Sequence, residues 1–361
     1  MRLRWFAAVW LAVSLAHPAG AASILDPGFG PFSFAGGPWE LSGLARTGGD
    51  QYLAVGDTGA LLVPLAVGVD TATGAVTGVT AGAPVTLAGG VDLEGIAWDP
   101  TTSSVWVGDE VGPAIRRHDP TTGALLGALS VPPVFSSART NRSLESLARD
   151  PVSGALWTAN EDALVPDGAI ASFAAGSVVR LQRFDAAGAP DGQWAYPTDP
   201  IPGGPLGGSQ TSGVVDLLAL PSGELLVMER SLSSLLFQVR IYEVDFAAAT
   251  DTSALAGLVG ASYTPVSKTL LWESGTVLAN FEGLALGPLL DDGSRSLLLV
   301  ADDNGGGSQA IYPLRIAFVP EPGPAVLTGV GLAALGLRRR RGSCDRRASP
   351  ARPARARRRR R

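Results

Sequence analysis

The chain has 361 residues, of which 46 are Gly and 27 are Pro, and only 17% are charged. That length admits one large domain or two ordinary ones, and short apolar runs split by Gly, Pro, Asp and Thr turns exclude a helical bundle and predict an all-β fold. The formal net charge of -5 hides two opposed parts: residues 338–361 hold 13 of the 28 basic residues, while residues 23–319 carry 13 basic against 31 acidic residues, near -18. A body so acidic repels nucleic acid and anionic membrane and attracts cations.

The chain opens MRLRWFAAVWLAVSLAHPAGAAS, with a basic start, an apolar centre and small residues at Ala19, Gly20 and Ala21. This is the pattern of a secretory signal peptide over residues 1–22, cut near Ala21 or Ala22. The one cysteine, Cys344, lies near the C-terminus, so the body at 23–318 has no disulfide. It must rely on its core, which its size allows.

Five segments of the body share one plan: WELSGLARTGGDQYLAVGDTG, VDLEGIAWDPTTSSVWVGDEVG, RSLESLARDPVSGALWTANED, GVVDLLALPSGELLVMERS and NFEGLALGPLLDDGSRSLLLVADDN. Each reads as a strand, a polar turn, a second strand and an acidic cluster. The matching positions are Gly43, Gly95, Ser146, Leu217 and Gly283, spaced by 52, 51, 71 and 66 residues. Short-strand units recurring every ~40–50 residues mark a β-propeller. The chain between them supplies two more strands per unit, as in AIRRHDPTTGALLGALSV, SVVRLQRFDAAGAPDGQWAYP, and FQVRIYEVDF with KTLLWES. The expected fold is five four-stranded antiparallel blades, with GPFSFAG near the N-terminus closing the last. Six blades is the alternative, if 185–213 or 246–269 builds another.

In a propeller the first strand of each blade lines the central channel, where a small residue allows close backbone approach. The preceding carboxylates, Glu94, Glu145 and Glu282, are then expected to meet in one ring. Second-strand ends add Asp57, Asp109, Glu110, Glu161, Glu229, Asp302 and Asp303. Crowded carboxylates stay ionised only with a cation or a proton between them, and an oxygen-rich ring suits Ca²⁺. The expected metal ligands are Glu94, Asp109, Glu110, Glu145, Glu229, Glu282 and Asp302. Arg142 and Arg230 are the expected substrate-binding groups, or else partners of the nearby Glu145 and Glu229.

Other hydrolytic machinery is missing. Of the two histidines, His17 lies in the leader and His118 before an Asp-Pro turn, and there is no G-x-S-x-G elbow and no Arg-His-Gly motif. A Ser-His-Asp triad therefore has no base, and metal-activated water or carboxylate acid-base chemistry remains.

Two stretches resemble known families. VPEPGPAVLTGVGLAALGLRRRR at the C-terminus resembles the PEP-CTERM sorting signal of Gram-negative bacteria. The resemblance implies processing by an exosortase-type enzyme and delivery to the cell surface or extracellular matrix. It covers 319–341, and its apolar run at 325–337 would make a transient inner-membrane contact. At 13 residues that run falls short of the ~20 a spanning helix needs, and a further basic tail at 342–361 is expected to be disordered.

The motifs DLEGIAWDP, NRSLESLARDP, GVVDLLALPSGELLVMERS, RIYEVDF and NFEGLALGP, taken in order, resemble the phytase-like family, also described as esterase-like activity of phytase. The resemblance spans 41–316. It implies an exported propeller distantly related to calcium-dependent β-propeller phytases, with no settled reaction. The family's NRGFEGLA stands here as NRSLESLA, so Ser143 and Ser146 replace two glycines. Two functions follow as expectations: a calcium-dependent hydrolase of phosphate or carboxylic esters, or a non-catalytic propeller binding matrix polysaccharide. Either is expected to act as a monomer without nucleic acid.

Overall fold

Each repeat folds as an antiparallel meander because its apolar residues alternate with polar ones and its turns carry their own hydrogen-bond chemistry. At Asp70, Asp119 and Asp150 one carboxylate oxygen accepts the N–H groups two and three residues on. A glycine at positive φ closes each turn, at 86° for Gly74, 71° for Gly123 and 77° for Gly154. These bonds pull the Asp119 carboxyl below the usual carboxylate range.

The structure is a computed structural model that describes residues 22–318 apart from 205, 206, 235, 276–278 and 303. The leader to residue 21, Asp303, the sorting segment at 319–341 and the tail at 342–361 lie outside the described residues. Five sheets form the blades. Blade 1 contains Leu41–Gly48, Gln51–Gly56, Leu61–Val69 and Val76–Ala81, with Val85–Thr86 added. Blade 2 contains Leu93–Asp99, Ser104–Asp109, Ala114–His118 and Leu125–Ala128. Blade 3 contains Leu144–Arg149, Leu156–Asn160, Val178–Phe184 and Pro190–Pro197. Blade 4 contains Ser209–Ala219, Leu225–Ser234, Leu236–Asp245 and Ser267–Glu273. Blade 5 contains Asn280–Leu289, Arg295–Asp302 and Ser308–Phe318.

The first strand of each blade contacts the first strands of both neighbours, which closes a ring of five. The stretches 185–213 and 246–269 add no sixth blade. Phe32–Ala35, within GPFSFAG, pairs with the last strand of blade 5 as expected. Ala22–Leu25 pairs with that strand too, from Ala22 opposite Phe318 to Leu25 opposite Arg315. The N-terminal closure is therefore two short strands rather than one. Among the described residues no helix is long and apolar enough to cross a membrane.

The core is divided among the crevices between blades. Leu226, Met228 and Ile241 of blade 4 meet Phe281, Leu297 and Leu299 of blade 5. Val179 and Leu181 of blade 3 meet Val214 and Val227 of blade 4, and similar clusters fill the other three crevices. Each blade buries both faces, so its inner strands are apolar on both sides.

The recurrent motif is a β-bulge. Pairing of the first two strands is irregular between Leu41 and Gly43, Leu93 and Ile96, Leu144 and Ser146, Val214 and Asp216, and Phe281 and Gly283. The extra residue of a bulge escapes the ladder and is turned aside, which is how Glu94, Glu145 and Glu282 leave the sheet plane. This corrects the alignment of blade 4: Asp216, not Leu217, stands level with Gly95, and Val215 stands where the others have Glu. Ser42 takes that place in blade 1.

At the level just beyond the bulge the strands almost touch. A Cβ on Gly95 would lie 2.5 Å from the Leu147 nitrogen, and one on Gly43 would lie 2.5 Å from the Glu94 carbonyl oxygen. Ser146 fits because its hydroxyl accepts the Ala159 N–H at 3.0 Å. Asp216 fits because its carboxylate accepts the N–H groups of Leu217 at 2.8 Å and Leu284 at 2.6 Å, with Leu147 also bonded. One buried side chain thus ties blades 3, 4 and 5. Burial pushes its carboxyl well above the usual range. Replacing Gly95 with Ala should cost about 1–3 kcal/mol of stability, as overpacking does. Denaturant unfolding measures it, and a variant as stable as the wild type would contradict the close approach.

Candidate functional site

The bulges place their extra side chains at one mouth of the channel. A cavity of about 490 Å³ there is lined by Glu94, Glu145 and Glu282 from the bulges of blades 2, 3 and 5. The ends of the second strands add Asp57, Glu110, Glu161 and Asp302, and Asp92 stands just before the blade 2 bulge. Eight carboxylates therefore face two guanidiniums, those of Arg142 and Arg230. Asn141, Ser209, Gln210 and Thr211 complete the wall.

Carboxylates this close resist ionising. Burial, then the charges of Glu282, Asp92 and Asp57, pushes Glu94 well above the usual carboxylate range. Burial, then Glu94, Glu161 and Glu110, does the same to Glu145. Burial, helped by Glu40 and Asp302, raises Asp57 to about 7. Burial also raises Glu282 to about 7, although Arg230 pulls the other way. Glu110 is raised by burial even though it accepts the Ser143 N–H at 2.7 Å.

Five of the seven expected metal ligands, Glu94, Glu110, Glu145, Glu282 and Asp302, meet in this cavity. Asp109 and Glu229 do not. Asp109 is 1% exposed; its carboxylate accepts N–H groups from Val91, Asp92 and Val111 and pairs with Arg116. Glu229 accepts from Tyr196 Oη at 2.7 Å, Asp199 N at 2.9 Å and Lys268 Nζ at 2.5 Å. The reason is strand alternation: Asp109 and Glu110, like Glu229 and Arg230, are neighbours that face opposite ways.

The two arginines line the cavity, with partners other than those expected. Arg142 Nη1 donates to Asp162 Oδ2 at 2.9 Å and to Thr211 Oγ1 at 3.0 Å, not to Glu145. Arg230 does not pair with Glu229. Its Nη2 reaches Glu161 Oε1 at 2.9 Å, and its Nη1 reaches Glu282 Oε1 at 2.5 Å and Asn280 Oδ1 at 2.9 Å. It is clamped between carboxylates and neutralises part of their charge. His118 is 1% exposed in the third strand of blade 2, with Nδ1 3.3 Å from the Gly123 carbonyl. It does not line the cavity.

Asp92 escaped the sequence reading; it stands just before the blade 2 inner strand, two residues ahead of the bulge acid Glu94. It completes the tightest cluster. Carboxylate oxygens of Asp57, Asp92 and Glu94 all lie within 4.8 Å of one another. Oxygens ~2.4 Å from one Ca²⁺ are at most ~4.8 Å apart, so this trio fits a hard, oxygen-liganded cation. Its donors are all oxygen, with no nitrogen or sulfur to favour zinc or copper.

The raised carboxyls predict an unusual pH dependence. Asp57 and Glu282 hold their protons up to about pH 7 in the fold, against ordinary values of 3.8 and 4.5. The unfolded chain ionises first, so cation-free protein loses stability as pH rises through this window and levels off above it. Thermal melts in chelator between pH 5 and 8 should show that fall. It should be smaller in Asp57→Asn and largely removed by Ca²⁺. An equal fall in the variant would mean that Asp57 is not among the crowded groups.

Comparison with known proteins bears on the fold region. The family model for Phytase-like, described as esterase-like activity of phytase, matches residues 39–305. No curated protein sequence matches the chain. Hydrazine synthase of Kuenenia stuttgartiensis is 12% identical, with 74% of this chain and 78% of that chain covered and a TM-score of 0.37. A putative oxidoreductase (glucose dehydrogenase) of Thermus thermophilus is 12% identical, covering 80% and 100%, with a TM-score of 0.36. A chain of the nidogen/laminin complex is 13% identical, covering 78% and 86%, with a TM-score of 0.37. Likenesses of this degree carry nothing about chemistry.

Proposed function

The chain belongs to the phytase-like family, described as esterase-like activity of phytase, and on that premise we propose that it is a calcium-dependent hydrolase of small phosphate or carboxylic esters. One observation carries the reading: the Asp57, Asp92 and Glu94 carboxylates, within 4.8 Å of one another, stand on the wall of a cavity that also holds Arg142. Bound there, Ca²⁺ would supply Lewis acidity toward a phosphoryl or carbonyl oxygen. Arg142 is half-buried at the cavity wall and already held by Asp162 and Thr211, which fixes its direction toward an anionic ester group. Burial and its acidic neighbours raise the Glu145 carboxyl well above the usual carboxylate range, the direction that suits a group protonating a leaving oxygen.

Charge selects among esters. With eight carboxylates against two guanidiniums, the cavity opposes a dense polyanion such as phytate and favours esters of low charge. An exported setting is part of the proposal, resting on the leader-like start and the PEP-CTERM-like segment. Extracellular Ca²⁺ sites typically bind at ~10⁻⁴–10⁻³ M, so a site of modest affinity would be filled there.

One feature favours the second reading, a non-catalytic matrix-binding propeller. Two of the five bulge positions hold Ser42 and Val215, so the ring of bulge acids is incomplete. Turnover of 4-nitrophenyl phosphate and 4-nitrophenyl acetate, with Ca²⁺ and with chelator, separates the two. The hydrolase reading expects calcium-dependent turnover that falls at least ~10²-fold in Glu94→Gln, the lower range for loss of a group acting at the transition state. The same variant should melt no lower than wild type in chelator and gain less from Ca²⁺, since it loses both repulsion and a ligand. Equal calcium shifts in the two proteins would remove the site. Intact shifts with no turnover would favour the binding reading.

A further inference from the structure

The recurrent motif has a second half that the acidic mouth does not use. Past the bulge level each inner strand continues with one apolar residue: Leu44, Ile96, Leu147, Leu217 and Leu284, none more than 4% exposed. These residues border a second cavity of about 370 Å³, built from the opposite ends of the inner strands, whose wall also includes Ala45, Ala97, Ala148 and Ala285. Its volume falls within the ~300–1,000 Å³ usual for small-molecule sites. The exposed Gly48, Pro100, Pro151 and Pro221 stand at its open rim. The close-packed level of Gly43, Gly95 and Gly283, with Asp216, separates it from the acidic mouth.

Two residues beyond the apolar ring, equivalent positions hold Arg46, Trp98, Arg149, Ala219 and Leu286, and Arg295 joins from the second strand of blade 5. These cations are poorly matched. Arg149 Nη2 reaches Asp99 at 3.3 Å. Among the described residues, no carboxylate oxygen lies within 4.0 Å of Arg46 or Arg295. Arg46 spends Nε and Nη2 on one carbonyl, that of Gly49. Arg295 Nη2 donates to the Gly287 carbonyl at 3.1 Å, while its Nε is buried without a partner. Burial and the neighbouring Arg46 charge lower its hold on its proton. In a body carrying near -18, two guanidiniums left without carboxylates over an apolar funnel stand out.

We infer that this funnel binds a small amphiphilic organic acid, its apolar body in the cavity among the inner strands and its carboxylate at Arg46 and Arg295. The chemistry follows from the gradient in the wall. The floor offers no hydrogen-bonding side chain, so it accepts a hydrocarbon or aryl body. The guanidiniums above it bring two positive charges that are spent on backbone carbonyls rather than on carboxylates, which suits an anionic head group. Trp98 adds a flat apolar face beside them. The acidic mouth repels such a ligand, so the two ends of one channel sort small molecules by charge.

Octanoate, octanol and acetate titrated calorimetrically into the full chain test this. Octanoate should bind, and octanol and acetate should bind at least about tenfold more weakly, the order expected when one charge-assisted hydrogen bond or a hydrophobic body is removed. Arg46→Gln, at the half-buried rim, should weaken octanoate by a similar factor while leaving the fold unchanged by circular dichroism. Arg295→Gln should do the same. Glu94→Gln, at the other mouth, should not change octanoate binding, which separates this site from the proposed catalytic one. Octanol binding as tightly as octanoate, no octanoate binding at millimolar concentration, or unchanged affinity in both arginine variants would each overturn the inference.

Discussion

Five inner strands converge until a Cβ on Gly95 would stand 2.5 Å from the backbone of the next blade. Everything else depends on that crowding. It demands Gly43, Gly95 and Gly283, admits Ser146 only with its hydroxyl bonded, and admits Asp216 only as an acceptor for neighbouring blades. It also makes the bulge. A strand that must pass the axis so closely gains by ejecting one residue, and in three blades the ejected residue is Glu94, Glu145 or Glu282. The site is therefore a consequence of closing the ring, since the same irregularity that fits the strands together aims the acids into the mouth.

That arrangement has a cost. Eight carboxylates around one cavity repel one another wherever they are ionised. Arg230 offsets part of this by bridging Glu161 and Glu282, and Asn280 donates to Glu282 and Asp302. The trio of Asp57, Asp92 and Glu94 receives no such cation among the described residues. A fold that keeps strain of this kind has placed it where a bound cation would relieve it, which is the usual relation of strained groups to function.

The blades were legible because their signals are local. Apolar runs, Asp-x-x-x-Gly turns and the repeated acid recur at readable spacings, so the inner strands of blades 1, 2, 3 and 5 begin within their repeat segments, at Leu41, Leu93, Leu144 and Asn280. Blade 4 was misaligned by one residue because bulge and ladder positions cannot be told apart when Val214, Val215, Asp216 and Leu217 run together. The blade 4 inner strand also begins at Ser209, four residues before its repeat segment starts at Gly213, since its polar start lacks alternation. Partners of the arginines were hidden for another reason. Arg230 meets Glu161 and Glu282, 69 and 52 residues away, and only ring closure brings them together. Adjacent acids such as Asp109 and Glu110 looked alike until strand alternation sent one into the blade and the other into the cavity.

The central claim is that crowding at the bulges builds a cation site. Anomalous diffraction from crystals grown with Ca²⁺ tests it most directly. The account predicts a peak among the Asp57, Asp92 and Glu94 carboxylates, with Ca²⁺ to oxygen distances of ~2.3–2.6 Å, and its loss in Glu94→Gln crystals grown the same way. Density showing those three carboxylates paired through protons, with no peak at millimolar Ca²⁺ and neutral pH, would contradict it.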